Sequence, residues 1–311
     1  MCAVDTPVMW PYSEARPEIE PLPEWQELLE ELIASDGRRT IYLLGRTDTG
    51  KTTLCCYLLH GLRDRRRCAL IDGDTGQSTV GPPTTLGLAL CGGEVTGYGA
   101  VRLRFAGSTS PRGHFLPFLT GARRLLDEAV ALGAETVLID SPGYVGEEAA
   151  LEFQVHMIDL LMPQELVAIA PDGELELILT CFRGESAIHI HRLPLPPRAR
   201  RRTQAERQRW RESAFRCYFR AASEQEISLE GRGVHGRLPA SFRSEDWRGL
   251  IVALCDGMHF VLALAIVEEL DIERWLLRVR APEFDRKRVS VIQVGSIRLD
   301  AERVFAGEGW A

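Results

Sequence analysis

The stretch "GRTDTGKT" (45–52) sets two glycines, one lysine and a terminal hydroxyl residue at fixed spacing. The apolar run "TIYLL" precedes it and "TTLCCYLL" follows, so it joins a strand to a helix. There, backbone amides and the helix N-terminus surround phosphate, Lys51 neutralises it, and Thr52 offers a hydroxyl to Mg²⁺. Gly45, Arg46, Thr47, Asp48, Thr49, Gly50, Lys51, Thr52 and Thr53 form the expected nucleotide-binding set. Lysine is otherwise almost absent. Lys+Arg is 37, and only Lys51 and Lys287 are lysines, leaving 35 arginines (37 − 2). A compact ammonium fits within a ring of amides where a planar guanidinium does not. The pattern predicts a nucleoside triphosphate and leaves the reaction open among a switch GTPase, a motor or ligase ATPase, and a kinase. A guanine-reading N-K-x-D is not found after "ELVAIA", where the chain has "PDGE" instead. That disfavours a guanine-specific switch.

A second group lies in "LIDGDTGQST" (70–79). Asp72 and Asp74 alternate in phase, so both can face the phosphates if the chain stays extended. One would organise Mg²⁺ through water while the other receives a proton; the alternative is that they cap the next segment. Phosphoryl transfer needs little more than positioning, a metal, a carboxylate near the attacking hydroxyl and cations over the transferred group. Cations are supplied by the arginine-rich segment 192–220, which holds only two glutamates. Such a run is usually a solvated helix face. Here it follows a Pro-rich hinge, which makes phosphate binding a competing reading.

These residues need elements to hold them. Trp25, Leu28, Leu29, Leu32 and Ile33 recur at helical spacing, after which strands and helices alternate. Strands are expected over 40–45, 68–74, 135–143 and 165–171, with helices over 50–63, 114–132 and roughly 147–161. Apolar strands separated by amphipathic helices imply an α/β fold with a mostly parallel sheet covered on both faces. Ligands bind such sheets beyond the carboxyl ends of the strands, where the loops above lie. From about residue 221 the pattern becomes β-rich, including a hairpin over 250–267.

The motifs "GRTDTGKTT", "IDGDTGQS", "GSTSPRGH" (107–114), "LIDSPGYVGE" (138–147) and "RTQAERQRWRESAFRCYF" (202–219) stand in an order that resembles the polynucleotide 5′-hydroxyl kinases of RNA processing. That group includes the kinase subunit of the mRNA 3′-end cleavage machinery and the pre-rRNA-processing kinase. The resemblance spans about residues 25–300, without the large N-terminal domain of the eukaryotic members. It implies transfer of the γ-phosphate of ATP, or another triphosphate, to the 5′-OH of RNA or DNA, with Mg²⁺. It implies Asp74 beside the 5′-hydroxyl, Asp72 at the metal, and Gln77, Thr109, Ser110 and His114 along the strand end. Arg202 and Arg207 match lid arginines; five residues apart, they share no helical stripe unless the helix starts or bends near Arg202. Where the family often has N-T-x-G-W, this chain has Asp140-Ser141-Pro142-Gly143-Tyr144. Asp140 ends a strand as metal-water ligands of P-loop proteins do, and Tyr144 keeps an aromatic face for a terminal base. The expected organisation is a tail and helix over 1–38, a P-loop kinase domain with an arginine-rich lid over 39–220, and a smaller all-β domain over 221–311. The rival readings are a non-catalytic P-loop ATPase serving RNA-processing assembly and a small-nucleoside kinase.

Composition sets the remaining limits. Hydrophobic content of 45% and charged content of 26% are those of an ordinary globular chain. Net charge of −7 argues against a protein that merely coats nucleic acid. The N-terminus does not read as a signal peptide and no span reads as transmembrane, so the expected location is cytoplasmic. None of the eight cysteines has C-x-x-C spacing, which argues against a zinc site or disulfide framework. His189 and His191 share a strand face without a third ligand.

Overall fold

The computed structural model describes residues 19–92, 95–171 and 173–300. The expected N-terminal tail ahead of residue 19 and the end of the expected C-terminal domain after residue 300 lie outside these residues. The chain runs α1 (Pro23–Ala34), β1 (Arg39–Leu44), α2 (Lys51–Leu62), β2 (Cys68–Asp72), β3 (Thr85–Gly92), β4 (Val95–Phe105), α3 (Phe115–Ala131), β5 (Thr136–Asp140), α4 (Glu148–Leu161), β6 (Glu165–Ile169), α5 (Glu176–Thr180), β7 (His189–Leu193) and α6 (Gln204–Phe219). The first sheet has the order β4-β3-β2-β5-β1-β6-β7. β2, β5, β1, β6 and β7 are parallel, whereas β3 pairs antiparallel with both β2 and β4.

Every residue of β2, β5 and β6 is buried, so these strands read as continuous apolar runs without alternation. α1 and α2 cover one face with Trp25, Leu28, Leu54 and Leu58. α3 and α4 cover the other with Phe118, Leu125, Phe153 and Ile158. The Tyr42 hydroxyl donates to Gln154 Oε1 at 2.7 Å, and Gln154 Nε2 donates to the carbonyls of Pro142 and Tyr144. This buried relay fixes the turn after β5, beside the P-loop.

The β3–β4 hairpin was not anticipated. Its segment is glycine-rich, and the glycines interrupt the apolar residues of the two strands. Gly87 is required there: a Cβ would meet the Val80 carbonyl oxygen at 2.0 Å.

The second sheet is built from β8 (Ser223–Ser228), β9 (Gly233–Gly236), β10 (Leu250–Cys255), β11 (Val261–Asp271), β12 (Leu276–Ala281) and β13 (Val291–Arg298), with one short helix, α7 (Ser244–Trp247). Its order is β8-β12-β11-β10-β13-β9. The expected hairpin is β10–β11; its turn is held by Asp256 Oδ1, which accepts from the amides of Met258 and Phe260 at 2.9 Å each. One face of the sheet packs Val252, Leu254 and Leu277 around Trp247 of α7. The other packs Ile251, Ala253 and Leu264 against Phe215 and Phe219 of α6 and Leu103 and Phe105 of β4. The Tyr218 hydroxyl accepts from the Leu264 amide at 2.8 Å. The arginine-rich segment therefore ends as an apolar anchor in the second sheet. Among the described residues, no helix is long and apolar enough to cross a membrane.

Candidate active site

β1 delivers the chain into the P-loop. A Cβ on Gly45 would lie 2.6 Å from the Ile169 carbonyl oxygen, so the loop starts against β6. Gly50 has φ +94°, the left-handed turn that lets α2 begin at Lys51. Lys51 is only 6% exposed, and its Nζ donates to the carbonyls of Gly45 and Arg46 at 2.8 Å each. Thr49 Oγ1 donates to the same Arg46 carbonyl, and the Arg46 guanidinium pairs with Glu174 at 3.0 Å. Thr47 meets the turn after β5, because a Cβ on Gly143 would fall 2.3 Å from its amide nitrogen. The Thr52 hydroxyl donates to Asp140 Oδ2 at 2.5 Å, while the buried Asp140 Oδ1 has no hydrogen-bond partner among the described residues. Burial pushes the Asp140 carboxyl up to about 6, with Lys51 and the Thr52 hydroxyl acting in the opposite direction.

Beyond β2 the chain does not stay extended. Gly73 turns back, its amide donating to the Asp140 carbonyl at 2.8 Å. Asp72 Oδ2 accepts from the Thr79 amide and hydroxyl, the Val80 amide and the Ser78 hydroxyl, and its Oδ1 accepts from the Asp74 amide at 3.0 Å. The carboxylate expected at the metal is instead committed to folding the loop over 73–80. Burial, then the charge of Asp140, raises it to about 7 against the pull of the Thr79 and Val80 amides. Asp74 Oδ1 also organises a turn, accepting from the amides of Gly76 and Gln77 at 3.0 Å each. Its side chain lines the cleft described below. Both aspartates accept amides of the loop over 73–80, and Asp74 also fronts the cleft.

The lid begins as geometry requires. Thr203 caps α6, its Oγ1 accepting from the Glu206 amide while Glu206 Oε2 accepts from the Thr203 amide. Arg202 thus precedes the helix and Arg207 lies one turn inside. The Arg202 amide and Arg207 Nη2 both donate to Asp48 Oδ2, at 2.9 and 2.7 Å. The Arg202 guanidinium also donates to Gln77 Oε1, so the lid touches the P-loop and the Asp74 loop together. Asp48, a non-glycine residue at φ +66°, keeps its side chain 7% exposed to make these contacts. Hydrogen bonds to a charged group contribute about 1.5–3 kcal/mol each. Asp48→Ala is therefore expected to raise the population of undocked lid by about tenfold or more, read as faster tryptic cleavage within 198–211. Cleavage at the wild-type rate would show that Asp48 does not hold the lid.

A cleft of about 990 Å³ joins these parts, lined by Lys51, Thr52, Asp74, Gln77, Asp140 and Arg202 among others. Its other half is formed by Ile19–Leu22, Trp25, Pro196–Arg200 and Trp210, and the Glu20–Arg198 ion pair joins its two rims at 3.0 Å. These residues were not foreseen as site residues, since no motif marks them. Thr109, Ser110, His114 and Tyr144 do not line the cleft. The loop carrying Thr109 abuts it, because a Cβ on Gly76 would meet the Thr109 carbonyl oxygen at 2.8 Å. The Ser110 hydroxyl accepts from the Arg112 amide. His114 precedes α3 without capping it; its Nε2 lies 3.1 Å from Ser296 Oγ, and burial and Arg237 lower its pKa. Tyr144 leans on Phe115 and Phe153 and donates to Glu147. His191 is hydrogen-bonded to the buried Glu165 at 2.9 Å, with His189 Nδ1 3.7 Å from the same oxygen.

Residues 45–221 match the family model described as the P-loop of the mRNA cleavage and polyadenylation factor CLP1. The chain belongs to this CLP1 P-loop family. Within it, the chain is 26% identical over 317 residues to a polyribonucleotide 5′-hydroxyl-kinase of Methanocaldococcus jannaschii, covering 84% of this chain and 87% of that one. It is 31% identical over 220 residues to the polyribonucleotide 5′-hydroxyl-kinase of Pyrococcus furiosus, covering 69% and 60%. The CLP1 fold is shared with the solved wild-type Clp1p–Pcf11p complex, at a TM-score of 0.66 and 15% identity over 88% of this chain and 77% of that one.

Proposed function

We propose that the protein is a polynucleotide 5′-hydroxyl kinase, acting in the cytoplasm on the 5′-OH end of RNA or DNA with ATP or another nucleoside triphosphate as donor. The observation that carries this reading is the convergence in one cleft of the P-loop lysine, Asp74 and a lid arginine. The names of the curated relatives agree with it. Lys51 neutralises the donor phosphates, and Arg202 and Arg207 close over the transferred group. Asp74 takes the proton of the 5′-hydroxyl as that oxygen bonds to the γ-phosphorus and the bridge to the β-phosphate breaks. The assembly-subunit reading would fit a chain lacking these groups, and none is missing.

Thr52 and Asp140 fit a divalent cation: the hydroxyl and carboxylate are already in contact, and the buried Asp140 Oδ1 is left without a partner. Bound there, Mg²⁺ would supply positive charge against the β- and γ-phosphates. Asp140 takes this role from Asp72, whose oxygens are committed to the loop.

The test is transfer of labelled γ-phosphate to 5′-OH oligonucleotides of both sugars, with and without a chelator. No labelled ends with either sugar would end the kinase reading. A pH prediction accompanies it. Burial raises the Asp140 carboxyl to about 6 in the free protein, and metal binding needs the anion. Half-saturating Mg²⁺ should be flat above that pH and rise about tenfold per pH unit below it. A flat dependence from pH 7.5 to 5 would exclude Asp140 as the titrating ligand.

A further inference from the structure

A second set of cations lies outside the cleft, where the two sheets meet. Arg104 on β4 and Arg124 on α3 form one side of a furrow. His235 on β9, Arg237 just after it, Gln293 on β13 and His259 in the β10–β11 turn form the other. The Gln293 amide nitrogen lies 3.1 Å from His235 Nε2 and 3.4 Å from His259 Nδ1, and the two rings are 5.7 Å apart. Arg104 donates to the Met258 carbonyl at 2.9 Å with its guanidinium 5.7 Å over the Phe260 ring. Arg237 donates to the Gly113 carbonyl at the head of α3.

The charges here are left available. Among the described residues, no carboxylate lies within 4.0 Å of Arg104, Arg124 or Arg237, whereas Arg102 on the same strand as Arg104 pairs with Glu128 at 3.0 Å. Burial, Arg104 and His235 all lower the pKa of His259, and Asp256 opposes them. A neutral imidazole offers a flat face and a hydrogen bond. Guanidiniums interleaved with rings are the equipment of a single-strand site, the cations meeting phosphates and the rings meeting bases.

One loop joins this cluster to the wall of the cleft. The loop 107–114 touches the Asp74 loop through Thr109 and Gly76, and reaches the second sheet through the Ser296 amide, which donates to the Gly107 carbonyl at 2.8 Å. From His114 to Arg124 is ten residues of chain, roughly 15 Å of helix. That is the length of a short run of single strand.

We propose that this furrow binds the single-stranded polynucleotide behind its 5′ end, with phosphodiesters on Arg104, Arg124 and Arg237 and bases against His235 and His259. The polarity of the strand rests on the kinase reading; the binding itself does not.

The test uses the full chain and labelled ten-nucleotide single strands of RNA and of DNA, with affinity read by fluorescence anisotropy across a salt series. The variants are Arg124→Ala, the double variant Arg124→Ala/Arg237→Ala, and Arg274→Ala/Arg278→Ala as a control of equal charge remote from the furrow. Arg124 is exposed and forms no hydrogen bond or ion pair among the described residues, so its replacement leaves the fold intact. The double variant should bind the RNA about tenfold or more weakly, with a salt slope shallower by about 0.7 per lost phosphate contact. The control should stay within about twofold of wild type. Equal losses on RNA and DNA assign the furrow to the phosphodiester backbone, and a larger loss on RNA adds the sugar hydroxyl; both support the site. Affinity of the double variant within about twofold of wild type would overturn it, as would an equal loss in the control. Phosphorylation of the 5′-OH ten-nucleotide strands by the wild type is scored separately. If it fails, the kinase reading falls while the ten-nucleotide comparison still decides the furrow.

Discussion

Lys51→Ala is expected to cut transfer to a 5′-hydroxyl end by at least about 10²–10³-fold, the scale of removing one pre-organised charge contact from a transition state. Lys51→Arg is expected to lose nearly as much. The Lys51 ammonium sits between two carbonyls of its own loop, 2.8 Å from each, where the start of that loop is closed by the Ile169 carbonyl. A guanidinium is wider and planar, and does not place a single compact charge between the two carbonyls. Single-turnover kinetics on a 5′-OH oligonucleotide reads both variants, with circular dichroism to show that they are folded. A folded Lys51→Ala protein with full activity would remove the phosphate-site assignment. An active Lys51→Arg protein would show that scarcity of lysine has no steric meaning here.

Asp74→Asn separates the turn that this carboxylate holds from the proton transfer proposed for it. Oδ1 accepts from the amides of Gly76 and Gln77, and an asparagine carbonyl keeps that turn. What asparagine cannot do is receive the hydroxyl proton. Turnover should fall by about 10²–10⁴-fold, or roughly 3–5 kcal/mol, while triphosphate affinity stays near wild type. Asp74→Ala removes the turn as well and should also disturb the loop that holds Gln77 under Arg202. The readout is single-turnover phosphorylation across a Mg²⁺ titration, with nucleotide affinity measured apart. A turnover within about threefold of wild type would reduce Asp74 to a turn residue. Full rescue by added Mg²⁺ would make it a metal anchor.

The parallel half of the fold was legible because buried strands leave continuous apolar runs, and the P-loop because its spacing is bound to a strand and a helix. The β3–β4 hairpin was not, since glycines interrupt the apolar pattern of its strands. The surroundings of Asp72 were not legible for a different reason. Its position at the end of β2 can be read from the chain, but the four donors converging on its Oδ2 come from the three residues Ser78, Thr79 and Val80, brought back by a turn at Gly73 that extended phasing does not foresee. The lid geometry did have a signal. Thr203 and Glu206 stand at capping-box spacing, which sets the helix start just after Arg202 and removes the difficulty of the two arginines lying on different stripes. The other half of the cleft had none: Trp25 reads as part of an ordinary core stripe, and the structure buries it to 2% exposure while also setting it in the cleft wall.

α6 is a lever. Its first turn is hydrogen-bonded to the P-loop through Asp48, and its last is sunk among Ile251, Ala253 and Leu264 of the second sheet. A rigid rod fixed at both ends does not swing alone. Any rotation that lifts Arg202 and Arg207 from the donor site must either strip Phe215 and Phe219 from their apolar socket or carry the second sheet with it. Occupancy of the phosphate loop is thereby felt as a torque on a β-sheet that touches no nucleotide, and amide exchange in β10 and β11 should slow when the triphosphate binds.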